Sequence, residues 1–484
     1  MSTQQEKTSS KAPNKIIEIV PQATPADIEE PLFEVRKKIH PRAVHGLFAR
    51  WRWGMVIATQ LLFYGLCWLP WNDRQAVLFN IVERKFYLFG LVLWPQDVFY
   101  LAILLIISAF ALFLFTAVAG RLWCGFACPQ TVYTEVFLWV ERLFEGDRLA
   151  RMKLDSAPMS ANKAARKGGK VLTWALLSAW TGFTFVGYFT PIHELWDALW
   201  RFDLGPWENF WLIFYSGFTY MNAGHMREQV CKYMCPYARF QGVMFDPDTL
   251  VITYDAERGE PRGARKKGLD PRSVDKGDCV DCHICVQVCP TGIDIRDGLQ
   301  YECIGCAACI DACDQVMEKM NYPKGLIRYS TENALSQHWG WQEIMRHVAR
   351  PRVLIYTAIL TVVVGAFLFG LLTKSSLRVN VIRDRGVMGR EVEGGKIENV
   401  YRLQVMNVSE HYQFYSVKVD GIPGIELAGE NVIEMPAESS HIFTFEVRAD
   451  PEAAKPGPNP IHFEIESLLG DSRTSEKATF LMPR

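Results

Sequence analysis

Cys279-Val-Asp-Cys282-His-Ile-Cys285-Val-Gln-Val-Cys289-Pro290 and Cys303-Ile-Gly-Cys306-Ala-Ala-Cys309-Ile-Asp-Ala-Cys313 stand back to back in the chain. Each is a C-x2-C-x2-C-x3-C run. In the two-cluster iron–sulfur pattern the first three cysteines of such a run hold one [4Fe–4S] cube, and the fourth reaches across to the other. The short x2 spacing wraps one loop around three iron corners, and the remote ligand interleaves the halves. The spacing therefore assigns Cys279, Cys282, Cys285 and Cys313 to one cluster, and Cys303, Cys306, Cys309 and Cys289 to a second. Pro290 turns the chain after the first run, whereas Asp314 stands at that place after the second. Zinc sites pair two separated CxxC units, and disulfides do not persist in a reducing compartment. Two adjacent low-potential cubes imply one-electron relay.

Around these runs the composition is that of a membrane protein. The chain has 484 residues, 49% hydrophobic and 13% aromatic, with a net charge of −1. Its apolar residues are bunched. Residues 1–35 are polar, without the apolar core of a cleavable signal peptide, and read as a disordered cytoplasmic tail. Basic residues from Arg36 to Arg52 precede the apolar stretch Met55–Leu69, flanked by Trp51, Trp53, Trp68 and Trp71. Residues 76–94, interrupted by Glu83, Arg84 and Lys85, read as an interfacial or re-entrant hairpin. Val98–Ala119 is the strongest span, followed by Val171–Thr190, Trp207–Ala223 and Val353–Leu372.

That makes about five spans. The Arg- and Lys-rich segments 142–170 and 346–352 place the 121–170 and 224–352 segments in the cytoplasm by the positive-inside rule. The odd number of spans then places the C-terminal segment outside. The expected organisation is a tail (1–35), a helical membrane domain (36–250), a cytoplasmic two-[4Fe–4S] ferredoxin-like domain (251–330), a linker with the last span (331–375) and a periplasmic domain (376–484). The last lacks cysteine and alternates apolar and polar residues in short stretches, such as Tyr401-Arg-Leu-Gln-Val-Met and Ile461-His-Phe-Glu-Ile-Glu. About seven such strands predict an all-β sandwich of immunoglobulin type, an interaction module rather than an active site.

Four further cysteines form two matched pairs: Cys124-Gly-Phe-Ala-Cys128-Pro129 after the second span, and Cys231-Lys-Tyr-Met-Cys235-Pro236 after the fourth. Both are C-x3-C-P on the cytoplasmic side. The proline suits the first position of a new helix, so Cys128 and Cys235 are expected at helix N-termini, where the helix dipole favours thiolate. Four soft sulfurs would suit Cu(I), zinc or iron–sulfur iron. A copper-handling or redox-active dithiol site, a third metal site and small packing cysteines all remain open on spacing. Cys67 reads as packing. His225, and Met221, Met226 and Met234 around the second pair, are candidate helpers of a metal but equally ordinary structural residues. No two histidines face each other at mid-membrane depth, so no haem is expected.

The stretches Trp123-Cys124-Gly-Phe-Ala-Cys128-Pro129-Gln130 and Cys231-Lys-Tyr-Met-Cys235-Pro236-Tyr237-Ala-Arg239-Phe240-Gln241, with the doubled cysteine runs and the outer sandwich, resemble the CcoG/FixG/RdxA cytochrome oxidase accessory proteins. The likeness runs from about residue 35 onward. It implies a bacterial inner-membrane protein that reduces Cu(II) to Cu(I) for the copper centre of cbb3-type cytochrome c oxidase. Cys124, Cys128, Cys231 and Cys235 would be both the catalytic and the copper-binding residues. Expected partners are the copper ion, a cytoplasmic electron donor, a copper transporter or chaperone, oxidase assembly factors and membrane lipid, but no nucleic acid. Two other readings compete. One is an electron-transfer subunit of a quinol dehydrogenase feeding a periplasmic reductase. The other is an assembly scaffold whose clusters only sense redox state.

Overall fold

The computed structural model describes residues 38–267, 270–383, 389–392, 394–470 and 472–483. The expected tail lies outside the described residues.

Helix α1 (Leu47–Leu66) leads into a two-stranded ribbon, β1 (Pro70–Trp71) and β2 (Arg74–Gln75). Next comes an antiparallel meander of β3 (Val77–Asn80), β4 (Lys85–Leu88) and β5 (Leu91–Leu93). The stretch 76–94, expected as an interfacial or re-entrant hairpin, is a β-hairpin extended by a third strand: Glu83 and Arg84 lie in the tight turn between β3 and β4, and Arg84 adopts a positive φ of 57°. Apolar residues on both sides of a charged turn are what a half-buried meander requires.

Helix α2 (Val98–Ala119) is 22 residues long, about 33 Å at the helical rise, and ends at Gly120, where φ is +53°. After it come α3 (Leu122–Phe126), α4 (Pro129–Glu145), α5 (Arg148–Ser156), α6 (Ala161–Val186), α7 (Ile192–Arg201) and α8 (Pro206–Thr219). Two π-helical turns, Tyr220–Met226 and Val230–Met234, connect α8 to α9 (Pro236–Met244). The α6–α8 contact is close because Gly182 has no side chain: a Cβ there would lie 2.7 Å from the carbonyl oxygen of Leu212.

The ferredoxin-like segment is closed at its base by β6 (Val251–Tyr254) and β7 (Ile327–Ser330), paired antiparallel with Val251 opposite Ser330. Between these strands lie α10 (Ala256–Gly259), α11 (Ile284–Val288) and α12 (Ala308–Met320). After β7 come α13 (Glu332–Ser336), α14 (Trp341–Val348) and α15 (Pro351–Leu372). Helix α15 packs antiparallel to α2, with Tyr100 Oη donating to the carbonyl of Gly370 at 2.8 Å.

Among the described residues two helical stretches, Pro95–Ala119 and Pro351–Leu372, are long and apolar enough to cross a bilayer. The other expected spans are helical but less apolar or shorter: α1 carries Arg50 and Arg52, α6 begins with four cations, and α8 has only 14 residues. All five nevertheless leave large apolar side chains exposed, including Leu61 and Leu62 on α1, Leu104 and Leu105 on α2, Leu176 on α6, Phe214 on α8 and Phe369 on α15. So large an exposed apolar surface marks contact with lipid or protein rather than water.

Residues from Leu377 form two packed sheets, an immunoglobulin-like sandwich. One sheet orders β12 (Glu426–Ala428), β14 (Ser439–Ala449), β10 (Ile397–Asn407) and β8 (Leu377–Arg383), with β9 (Arg390–Glu391) also on β10. The other orders β13 (Val432–Met435), β11 (Gln413–Asp420), β15 (Gly457–Ser467) and β16 (Arg473–Met482). Among the described residues these are nine strands, against the roughly seven that the alternation suggested. Tyr401, Leu403, Val405, Val417, Phe463, Ile465 and Phe480 are fully buried between the sheets, and Tyr401 Oη reaches across to the carbonyl of Thr479.

Ion pairs tie the sandwich to the start of α2 and to the β1–β2 ribbon. Asp97 accepts Lys374 at 2.9 Å and Arg378 at 2.7 Å, and Arg74 pairs with Glu410 and Glu438. The sandwich thus meets the beginning of α2, and the Cys124 loop follows its end.

Candidate metal and redox centre

The two cysteine runs fold alike. Residues at matching offsets take left-handed backbone: Asp281 and Gly305 (φ 55° and 68°), then His283 and Ala307 (φ 54° and 59°). The last two are the N-caps of α11 and α12. Alternating left-handed residues turn successive N–H groups toward one concavity, the backbone nest that iron–sulfur sites use. Cys279, Cys282, Cys285 and Cys313 line one small cavity. Cys289, Cys303, Cys306 and Cys309 line another, which Cys285 also borders. The structure therefore gathers the cysteines into the two crossed sets read from spacing, and a concave all-sulfur donor set suits a [4Fe–4S] cube. Among the described residues no three His, Cys, Asp or Glu side chains are placed to hold a metal ion in common; the sulfurs surround the cavities without closing on a point.

Burial pushes the Cys285 and Cys313 thiols up to about 12, and the Cys303 thiol equally far. These groups deprotonate readily only with metal charge beside them. The first set is the more open, since Cys282 and His283 are exposed. Its loop is held by Arg296, which donates to Asp281, Asp294 and His283. The second set is covered by the helical part of the chain. Arg52 of α1 donates to the carbonyl of Cys306 at 3.2 Å. Asp311, inside the second run, accepts the backbone N–H groups of Phe48 and Ala49 at 3.2 and 2.7 Å and so caps α1.

The C-x3-C-P cysteines lie on this covered side. Cys128 and Cys235 are the N-caps of α4 and α9, each followed by proline at the first helical position, as the spacing suggests. Cys124 sits in α3 and Cys231 in the second π turn. The four thiols are electrostatic neighbours. Burial pushes Cys124 up to about 11 and Cys231 to about 12, and the other thiols add to both shifts. At Cys128 burial also outweighs the backbone N–H groups of Gln130 and Thr131 and raises the thiol. The expectation that a helix N-terminus yields a thiolate there is thus corrected: desolvation dominates.

Cys124 Sγ donates to Gln241 Oε1 at 3.3 Å. Cys124 and Cys231 pack against a cluster of Val288, Ile304, Cys306, Ala308 and Ala312, drawn mostly from the second run. Gly125 touches Gly305 so closely that a Cβ on Gly125 would lie 2.6 Å from the Gly305 carbonyl oxygen. His225 packs with the rings of Trp174 and Tyr220, while Met221 and Met234 are about half exposed. Cys67 is buried among Phe183, Val186, Ile192 and Leu195.

Sequence reading missed Arg121, Gln241, Arg52 and Asp311. The only signal for the first two was adjacency to the cysteine pairs.

Known proteins match along most of this architecture. A model described as a 4Fe-4S dicluster domain matches residues 226–332, a 4Fe-4S binding domain matches 101–146, and the Ig-like fold at the C-terminus of FixG matches 367–483. Nitrogen fixation protein FixG of Rhizobium meliloti is 39% identical over 84% of this chain and 84% of its own length. The chain belongs to the CcoG/FixG/RdxA family. Protein RdxB of Cereibacter sphaeroides is 36% identical over 93% of this chain and 97% of its own length. Protein RdxA of the same organism is 37% identical over 85% and 89%. Like its family, the chain is an iron–sulfur redox protein with an immunoglobulin-like C-terminal domain.

Proposed function

We propose that this protein reduces Cu(II) to Cu(I) at Cys124, Cys128, Cys231 and Cys235, for copper-centre assembly of a cbb3-type oxidase in a bacterial inner membrane. The observation that carries the reading is that Cys124 and Cys231 pack on the cluster holding Ile304, Cys306 and Ala308, beside the close approach of Gly125 to Gly305. Cys279, Cys282, Cys285 and Cys313 would hold one [4Fe–4S] cluster and Cys303, Cys306, Cys309 and Cys289 a second, which would supply single electrons at low potential. Cu(II), the substrate, gains one electron, and the soft Cu(I) product is retained by thiolate sulfur. The charge of the ion offsets the burial that raises the thiols of Cys124, Cys128 and Cys231. Gln241, bonded to Cys124, orients that sulfur.

Five helices cross the membrane in this reading. The sulfur-bearing end faces the cytoplasm, where an electron donor reaches the exposed Cys282 side, and the sandwich faces the periplasm. A copper transporter or chaperone takes the product.

The test replaces Cys124, Cys128, Cys231 and Cys235 together by alanine. The iron–sulfur absorption should persist while Cu(I) binding and Cu(II)-dependent oxidation are lost. Unchanged copper reduction in that variant refutes the site.

A further inference from the structure

Arg121 is 5% exposed, and its Nε has no hydrogen-bond partner. Its Nη1 donates to the carbonyl of Tyr301, two residues before Cys303, and its Nη2 to the carbonyl of Ala238, three residues after Cys235. Its own carbonyl accepts the N–H of Gly125 at 3.2 Å, and that carbonyl and the Gly305 backbone touch: a Cβ on Gly305 would lie 3.1 Å from it. The guanidinium also lies 5.4 Å from the Tyr301 ring. One residue therefore binds the first cysteine pair, the helix after the second pair and the loop of the second run. Among the described residues no carboxylate forms an ion pair with it, and the groups that meet its guanidinium are two carbonyls and a ring.

We infer that Arg121 is the positioning residue that joins the four C-x3-C-P cysteines to the Cys289–Cys303–Cys306–Cys309 set, and that its buried charge selectively raises the reduction potential of the iron–sulfur centre there. This rests on the ligand sets proposed above. A fixed cation in a medium of low dielectric stabilises the state that has gained an electron. Its effect falls with distance, so the other set, beside Arg296, feels it less. Lysine keeps the charge but cannot make both carbonyl bonds.

The experiment is a redox titration followed by EPR on the full-length protein with both clusters bound, comparing wild type, Arg121→Gln, Arg121→Lys and Arg296→Gln. Arg121→Gln should shift one cluster to a more negative midpoint and leave the other in place. Arg121→Lys should recover most of that shift, and Arg296→Gln should move the other cluster. Two unmoved midpoints in Arg121→Gln, or two moved equally, overturn the inference, as does a lysine variant no different from glutamine. Arg121→Lys also answers the case in which the glutamine variant fails to fold. Copper is absent from the titration. If wild-type clusters fail to reduce Cu(II) while the selective shift is present, the copper reading fails and the role of Arg121 stands.

Discussion

Gly125 of the first C-x3-C-P loop and Gly305 of the second cysteine run touch backbone to backbone, and a Cβ on Gly125 would also lie 2.8 Å from the Cα of Cys306. Neither atom is the end of a flexible side chain, so the loops must separate to admit a methyl group. Gly125→Ala is expected to destabilise the protein by about 1–3 kcal/mol. It should also slow electron passage to copper while both clusters remain bound. Stopped-flow mixing of reduced protein with Cu(II), alongside the iron content, checks this; a wild-type rate would mean that the contact is not on the route.

Glu141 is the hub of a buried network. It is 1% exposed and lies 3.0 Å from both Arg151 and Arg227 and 3.8 Å from Lys170. Arg227 lies between the two π turns, the second of which carries Cys231. Glu141→Gln leaves buried cations short of an anion and should cost about 3–5 kcal/mol. Thermal unfolding in detergent reads this, and a loss under 1 kcal/mol would contradict the assigned network.

At the other end of α2, the side chain of Asp97 is fully buried between Lys374 and Arg378. Asp97→Ala should loosen the sandwich from the helices. The expected result is faster proteolysis at the junction near residue 375, with cluster absorption unchanged. If cluster content falls in parallel, the two ends are not independent.

Stability of the sandwich should depend on pH through Glu398. Burial pushes this carboxyl up, but its bonds with Arg448 at 2.8 Å and with Arg390 prevail, and its pKa lies below the ordinary 4.5. A depressed folded-state pKa stabilises the fold above the unfolded value, and that stability is lost as pH falls through the folded value. The unfolding temperature of the sandwich should therefore drop as pH is lowered from 6 to below 4.5. In Glu398→Gln it should start lower and lose this part of the slope. A parallel slope in the variant would assign the effect elsewhere.

Local pattern explains what the sequence made legible. The cysteine runs are short-range motifs whose spacing encodes the crossed grouping around the two cavities. Strands β10, β11 and β15 bury alternate residues, so their period is visible. Strand β16 opens with Arg473-Thr-Ser-Glu-Lys, exposed or half-buried, and offers little apolar contrast. The β3–β5 meander was obscured because its charged turn looks like an interruption of one apolar stretch. Arg121, Gln241 and Asp311 work across 117 to 263 residues of sequence. No local period records such contacts, and only the folded chain brings them to the sulfur. The helix-end argument placed Cys128 and Cys235 well, but the burial that raises the Cys128 thiol was invisible in the motif.

The most direct measurement is anaerobic. The purified protein is reduced, Cu(II) is added, and loss of the reduced-cluster EPR signal is followed together with Cu(I) captured by a specific chelator. Our account predicts one Cu(I) for each electron lost from the clusters, with no such coupling when Cys124, Cys128, Cys231 and Cys235 are replaced. Clusters that stay reduced in the presence of Cu(II) would contradict it and leave electron transfer to another acceptor, or a scaffold role, as the function.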